Sequence, residues 1–166
     1  MLQVLMMTVL PTLMIVAAAS DVTSLRIPNW LTALTAVAFF PMAWITGMPL
    51  VEFGYHLLGG LILFVAGYIL FALGLFGGGD AKLMAAAGLW FGTAQTIPFL
   101  FLTVFAGGVL TIVVVSWAAV TMWSELNGSK FHHKISQLKP KIPYGFALAV
   151  GAILAFPQSW WMQQLP

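Results

Sequence analysis

The sequence predicts an all-α, polytopic membrane protein: a bundle of six transmembrane helices forming a single domain over residues 1–166. Two observations carry that prediction. Of 166 residues, 61% are hydrophobic and only 6% are charged, with a mean hydropathy of +1.03; a soluble domain carries about 25% charged residues. The few basic residues are also segregated, so that with six spans every Lys and Arg falls in connections on one side of the membrane.

A helix needs roughly 20 apolar residues to cross a bilayer, and the apolar runs divide the chain accordingly. The first predicted span covers residues 2–20. It lacks a basic flank ahead of its apolar run, so it reads as a retained span and not as a cleavable signal peptide. Pro28 and Asn29 break the chain and start the second span, residues 29–47. The third, residues 54–76, runs into Gly77–Gly79. From Leu83 to Ser124 there is no Asp, Glu, Lys or Arg. That is chain enough for two further spans, residues 81–96 and 98–123, with "GTAQTIP" (Gly92 to Pro98) as the turn between them. The alternative is one very long tilted helix, which greatly exceeds the bilayer thickness. Residues 144–162 form the sixth span. The pairs Gly59–Gly60 and Gly107–Gly108 predict close helix packing.

On this map Arg26 joins spans one and two, Lys82 joins three and four, and Lys130, Lys134, Lys139 and Lys141 join five and six. The opposite connections contain Glu52 and no Lys or Arg. The positive-inside rule then makes the basic side cytoplasmic and puts both termini outside. The one sizeable polar segment, "SELNGSKFHHKISQLKPKIPYG", carries Phe131, Ile135, Leu138 and Ile142 at helical spacing. It reads either as a short interfacial helix or as a solvated loop. His132 and His133 are adjacent and point different ways on a helix, so they make a poor zinc pair. There is no cysteine, which excludes disulfides, thiolate metal sites and a cysteine nucleophile. Nucleic-acid binding has no support, and no metal or cofactor is expected.

Four acidic residues remain: Asp21, Glu52, Asp80 and Glu125. Asp21 ends span one and Asp80 opens span four, so two crossings separate them and both lie at the same membrane boundary. Carboxylates at matched depth are able to meet. A close pair cannot ionise both members cheaply and shares a proton, which leaves one base for water and one acid for a carbonyl oxygen. Gly77, Gly78 and Gly79, ahead of Asp80, would permit unusual torsions and the approach of a substrate strand. Simpler roles exist. Asp80 suits a helix N-terminus, Asp21 suits a helix end at the headgroups, and a small proton-coupled transporter would use the same aspartates as a relay. Arg26 and Lys82 either anchor helix ends or contact carboxylates of the dyad or of a substrate.

Three segments resemble a known family. "GGGDAK" (Gly77 to Lys82) is similar to the GxGD signature of intramembrane aspartic peptidases. "DVTSLRIPN" (Asp21 to Asn29) and "KIPYGFALAVGAI" (Lys141 to Ile153) resemble the first-aspartate and last-span motifs of type IV prepilin peptidases. The resemblance implies an intramembrane aspartyl endopeptidase of the bacterial inner membrane that cleaves prepilin leaders at the cytoplasmic face, with Asp21 and Asp80 catalytic. The implied substrate has an N-terminal leader and an apolar helix embedded in the lipid bilayer. Only residues 22–28 join the first two spans, and the cysteines of the long members are absent. The chain therefore looks like the short form associated with Flp (tight-adherence) pili, without a methyltransferase domain. The presenilin group shares GxGD, but its Tyr-Asp partner motif is missing here.

The charge map makes a direct prediction about sidedness. Single cysteines introduced into this cysteine-free chain at position 130 should be shielded from an impermeant thiol reagent applied to spheroplasts. Those at positions 48–53 should label. Labelling of position 130 from outside would reverse the assigned orientation.

Overall fold

The computed structural model describes residues 1–125 and 142–164. The lysine-rich segment, with Phe131, Ile135, Leu138 and the His132–His133 pair, lies outside the described residues. The elements in order are α1 (Leu2–Ser24), α2 (Asn29–Ile45), α3 (Leu50–Ala72), α4 (Gly78–Glu125) and α5 (Tyr144–Ala155). A 3-10 turn, Phe156–Gln158, and a short α6 (Trp160–Gln163) close the described chain.

In α1 the buried residues are Met6, Leu10, Met14, Ala17 and Asp21, a single helical stripe at spacings of three and four. Asp21 is therefore the last position of an otherwise apolar face that packs on α5. The helix stops one turn later at Leu25, which takes the left-handed conformation (φ 52°, ψ 34°) and donates its N–H to the Asp21 carbonyl at 2.8 Å. Ser20 and Ser24 hydroxyls donate to the Arg26 carbonyl at 2.9 and 3.2 Å, tightening the reversal into α2. Pro28 and Asn29 start α2 as expected.

The glycines of α3 set its contact with α4. A Cβ on Gly59 would come within 2.5 Å of the Gly92 backbone, and one on Gly60 within 2.5 Å of Leu89 Cδ2. Gly88 is equally crowded, 2.8 Å from the Gly59 carbonyl oxygen. The close packing expected of Gly59–Gly60 is thus present. Of the second pair, Gly107 meets Ala147 at 3.5 Å, while Gly108 faces open space.

The expected six spans are corrected. Four helical stretches are long and apolar enough to cross a membrane: Leu2–Ser24, Leu50–Ala72, Gly78–Thr121 and Tyr144–Gln163. The second predicted span, α2, has 17 residues, about 25 Å at 1.5 Å per residue and short of a full crossing. The fourth and fifth lie in one helical element, because the bend between them needs a single residue where the sequence suggested a loop. That residue is Gly92, at φ 60° and ψ −171°, a conformation reserved for glycine. Beyond it the chain turns back. Phe91 stacks on Phe99 with ring centroids 4.9 Å apart, although eight residues of straight helix span about 12 Å. Further on, Thr103 packs against Gly151 and Gly107 against Ala147, antiparallel to α5.

A bend inside a helix orphans carbonyls, and here two side chains take them up. Leu89 and Trp90 are the residues whose helical hydrogen-bond partners, the amides of Thr93 and Ala94, lie past the break. His56 Nδ1 donates to the Leu89 carbonyl at 2.6 Å, and Trp161 Nε1 donates to the Trp90 carbonyl at 2.7 Å. Trp90 in turn donates its indole N–H to the Thr35 carbonyl at 2.8 Å. Phe39 stacks on His56 and meets Trp90 and Trp161 edge-on, at centroid distances of 5.5, 6.2 and 6.0 Å. This buried cluster joins α2, α3, α4 and α6 at the end of the bundle far from Asp21.

Trp161→Phe keeps an aromatic side chain but removes the N–H and part of the indole, leaving the buried Trp90 carbonyl unsatisfied. It should lower stability by about 1–3 kcal/mol, read as a reduced melting temperature in detergent. Gly92→Ala should cost at least as much, since it adds a Cβ 3.2 Å from the His56 ring to a backbone conformation hostile to alanine. Wild-type melting of either variant would remove this account of the bend.

Candidate active site

Three elements converge on Asp21. It is 4% exposed at the end of the α1 stripe, and its Oδ2 accepts the Phe146 N–H at 3.2 Å. The Gly145 amide faces the same carboxylate. Both amides belong to the first turn of α5, where the Phe146 N–H is shared with the Pro143 carbonyl at 3.2 Å, and the carboxylate of one helix thus caps another that follows it by more than 120 residues. The approach leaves no room for a side chain. A Cβ on Gly145 would lie 2.8 Å from Asp21 Oδ2 and 2.5 Å from Ile27 Cδ1.

Asp80 enters from the first turn of α4. Its Oδ2 accepts the Gly77 N–H at 3.1 Å, the reach back from the third helical position to the capping residue. The local role as a cap expected from sequence is therefore present. It is not the whole of the environment. The two aspartates share one cavity of about 270 Å³, lined also by Leu25, Arg26, Ile27 and Gly77 to Gly79.

The three glycines are corrected in one respect. None of Gly77, Gly78 and Gly79 has positive φ; that conformation occurs at Gly47, Gly74 and Gly92. What the stretch requires is small size. A Cβ on Gly79 would press on Ile27 at 3.1 Å, and one on Gly77 would meet Asp80 Oδ2 at 2.8 Å. Ile27 thus sits between Gly79 and Gly145 and spaces the two halves of the site. Phe76 stacks on Tyr144 at 5.3 Å, tying the approach to α4 to the approach to α5.

The two basic residues behave differently. Arg26 is exposed on the rim of the cavity. Lys82 does not line that cavity and donates to Asn29 Oδ1 at 2.8 Å. Among the described residues no group of three or more His, Asp or Glu is placed to hold a metal ion. Sequence reasoning singled out both aspartates and the glycines before Asp80, but gave Gly145 and the α5 amides no role. The available signal was the Pro-Tyr-Gly start of the last helix, a glycine where nothing local demands one.

A profile of the type IV leader peptidase family matches residues 8–112, well over half of the chain. The chain belongs to the type IV leader peptidase family. This is an aspartic-type peptidase family, and membership implies cleavage of leader peptides. The matched region contains Asp21 and Asp80 and ends ahead of α5. No curated protein and no solved structure matched the chain. With four candidate spans, this leader peptidase family member is a multi-pass membrane protein.

Gly145→Ala isolates the contribution of α5. The added methyl must displace Ile27 or the Asp21 carboxylate, so leader cleavage should fall by about a hundred-fold, the scale of a misplaced acid–base group, in protein that still accumulates in the membrane. Near-normal cleavage would show that the α5 terminus does not position Asp21.

Proposed function

We propose that this protein is an intramembrane aspartyl endopeptidase that removes the leader from type IV, Flp-type prepilins, with Asp21 and Asp80 as its catalytic pair. The observation that carries this reading is that Asp21 and Asp80, from two different helices, line a single cavity, each held by a backbone amide, Phe146 and Gly77 respectively. Family membership supplies the reaction class and the prepilin substrate. The segregation of Arg26, Lys82 and the distal lysines supports placing this end of the bundle at the cytoplasmic face of the inner membrane. The short α1–α2 connection and the absence of cysteine support a peptidase-only domain over residues 1–166, without methyltransferase chemistry.

The chemistry follows from two carboxyls that share a proton. The ionised member takes a proton from water, whose oxygen adds to the scissile carbonyl carbon. The protonated member gives its proton to the carbonyl oxygen, which yields a neutral tetrahedral diol. Collapse of the diol breaks the C–N bond: the protonated member gives its proton to the departing nitrogen, and the ionised member takes a proton from a diol hydroxyl as the new carbonyl forms, which restores the shared proton of the pair. The Phe146 and Gly145 amides hold Asp21 against rotation through this sequence, while Gly77 to Gly79 present no side chain to the substrate backbone. Acid and base belong to the pair, which titrates as a unit.

Asp80→Asn separates capping from catalysis, because asparagine keeps an oxygen for the Gly77 N–H and cannot exchange the proton. Asp80→Asn and Asp21→Asn should each reduce cleavage of a coexpressed prepilin by about 10²–10⁴-fold or more. The double variant should be no worse than either single change. Gel mobility of the prepilin and immunoblotting of the enzyme give the two readouts. Substantial processing by either single variant would refute the catalytic pair and leave Asp80 as a helix cap.

A further inference from the structure

The two aspartates are held from different segments. Asp80 accepts the Gly77 N–H at the end of the α3–α4 connection, and Asp21 accepts the Phe146 N–H in the first turn of α5. The pair works only if those two amides keep a fixed separation, and the glycines work against it. Three in succession, Gly77 to Gly79, leave the start of α4 loosely specified by its own backbone. A neighbouring contact has to remove that freedom.

Phe76 and Tyr144 are placed to do so. Phe76 immediately precedes Gly77, and Tyr144 stands two residues before Phe146. Their rings stack with centroids 5.3 Å apart and planes inclined at 29°. Phe76 is anchored from behind as well, since its N–H donates to the Leu70 carbonyl of α3 at 3.2 Å. In the same connection Leu73 and Leu75 are exposed, whereas Phe76 packs on the core. Every other ring contact among the described residues lies at the end of the bundle that holds the α4 bend. Neither Phe76 nor Tyr144 lines the cavity of the aspartates, so the stack reaches the pair through the backbone.

We propose that Phe76 and Tyr144 are positioning residues: their stack ties the Gly77 amide to the start of α5 and so sets the separation of the Asp21 and Asp80 carboxyls. This rests on the peptidase reading above. Ile27, between Gly79 and Gly145, limits how closely the two segments approach, and the stack keeps them from parting. Each aspartate keeps its own amide when the stack is removed, because the Asp80–Gly77 and Asp21–Phe146 contacts do not run through the rings. What is lost is the register of one carboxyl against the other. Misaligned acid and base groups cost rate and not affinity, and a misplacement of about 1 Å costs up to about 10²-fold.

The test is steady-state cleavage of full-length prepilin in proteoliposomes, at a temperature well below the melting of every variant used. Phe76→Ala and Tyr144→Ala should each lower kcat by about ten-fold or more with KM within about two-fold. The double variant should be no slower than the slower single one, since all three remove the same contact. Tyr144→Phe keeps the ring and should stay within about two-fold of wild type. Leu75→Ala, at an exposed position of the same connection, should do the same. Where an alanine variant does not accumulate in the membrane, Phe76→Leu and Tyr144→Leu keep the bulk, lose the ring face and carry the same cycle. Wild-type kcat in either single variant, or losses that multiply in the double one, would overturn the proposal. A raised KM with unchanged kcat would make the rings a substrate contact and overturn it equally. Tyr144→Phe as slow as Tyr144→Ala would assign the effect to the hydroxyl, and Leu75→Ala as slow as Phe76→Ala would assign it to the connection as a whole; either rejects the tie. If wild-type protein leaves the prepilin intact, the peptidase reading fails and the tie falls with it; cleavage by wild type with any of the other adverse results rejects the tie alone.

Discussion

The site rests on the docking of the α5 N-terminus onto the buried end of α1. Asp21 occupies a core position that Met6, Leu10, Met14 and Ala17 would otherwise continue in apolar residues, and a buried carboxylate is tolerable only when its oxygens are met. The Phe146 amide, shared with the Pro143 carbonyl, meets Asp21, so the start of α5 supplies the polar partner the carboxylate needs. The condition is the absence of a side chain at Gly145, and Ile27 fills the remaining space between Gly145 and Gly79. The position of Asp80 relative to Asp21 follows from that packing.

The opposite end of the bundle holds the frame in which this docking occurs. Gly92 redirects α4 within one residue, and the carbonyls beside the break accept from His56 and Trp161. His56 is buried and hydrogen-bonded among aromatic rings, so its duty is structural. Once α4 has turned, its distal part runs back along α5 through contacts at Gly151 and Ala147. A displaced bend would carry α5, and with it the amides on Asp21, out of register. The two ends of the molecule are coupled through a single glycine and the helix it redirects.

Between these ends α2 and α3 diverge, joined by aromatic rings at one end and lined at the other by small residues together with Leu61, Phe64 and Leu89. Lys82 lines the groove between α2 and α3, and its contact with Asn29 ties the start of α2 to the start of α4.

With 6% charged residues, nearly every polar group in this chain is conspicuous. Membrane residence, the helical class and the starts of α2 at Asn29 and α5 at Tyr144 all follow from apolar run lengths and from where the few charges fall. Those are properties of one segment at a time, and bilayer thickness acts on each segment separately. The tertiary structure decided what depends on two segments at once. It showed that α4 bends at one residue and needs no loop, because the carbonyls at the bend find partners on α3 and α6. It showed that Gly77 to Gly79 are small to admit neighbours and not to twist the backbone. It also showed that Gly145, 124 positions after Asp21 in the sequence, touches it. Hydropathy has no term for such contacts, since the space that a missing Cβ leaves is defined only by what another helix puts there.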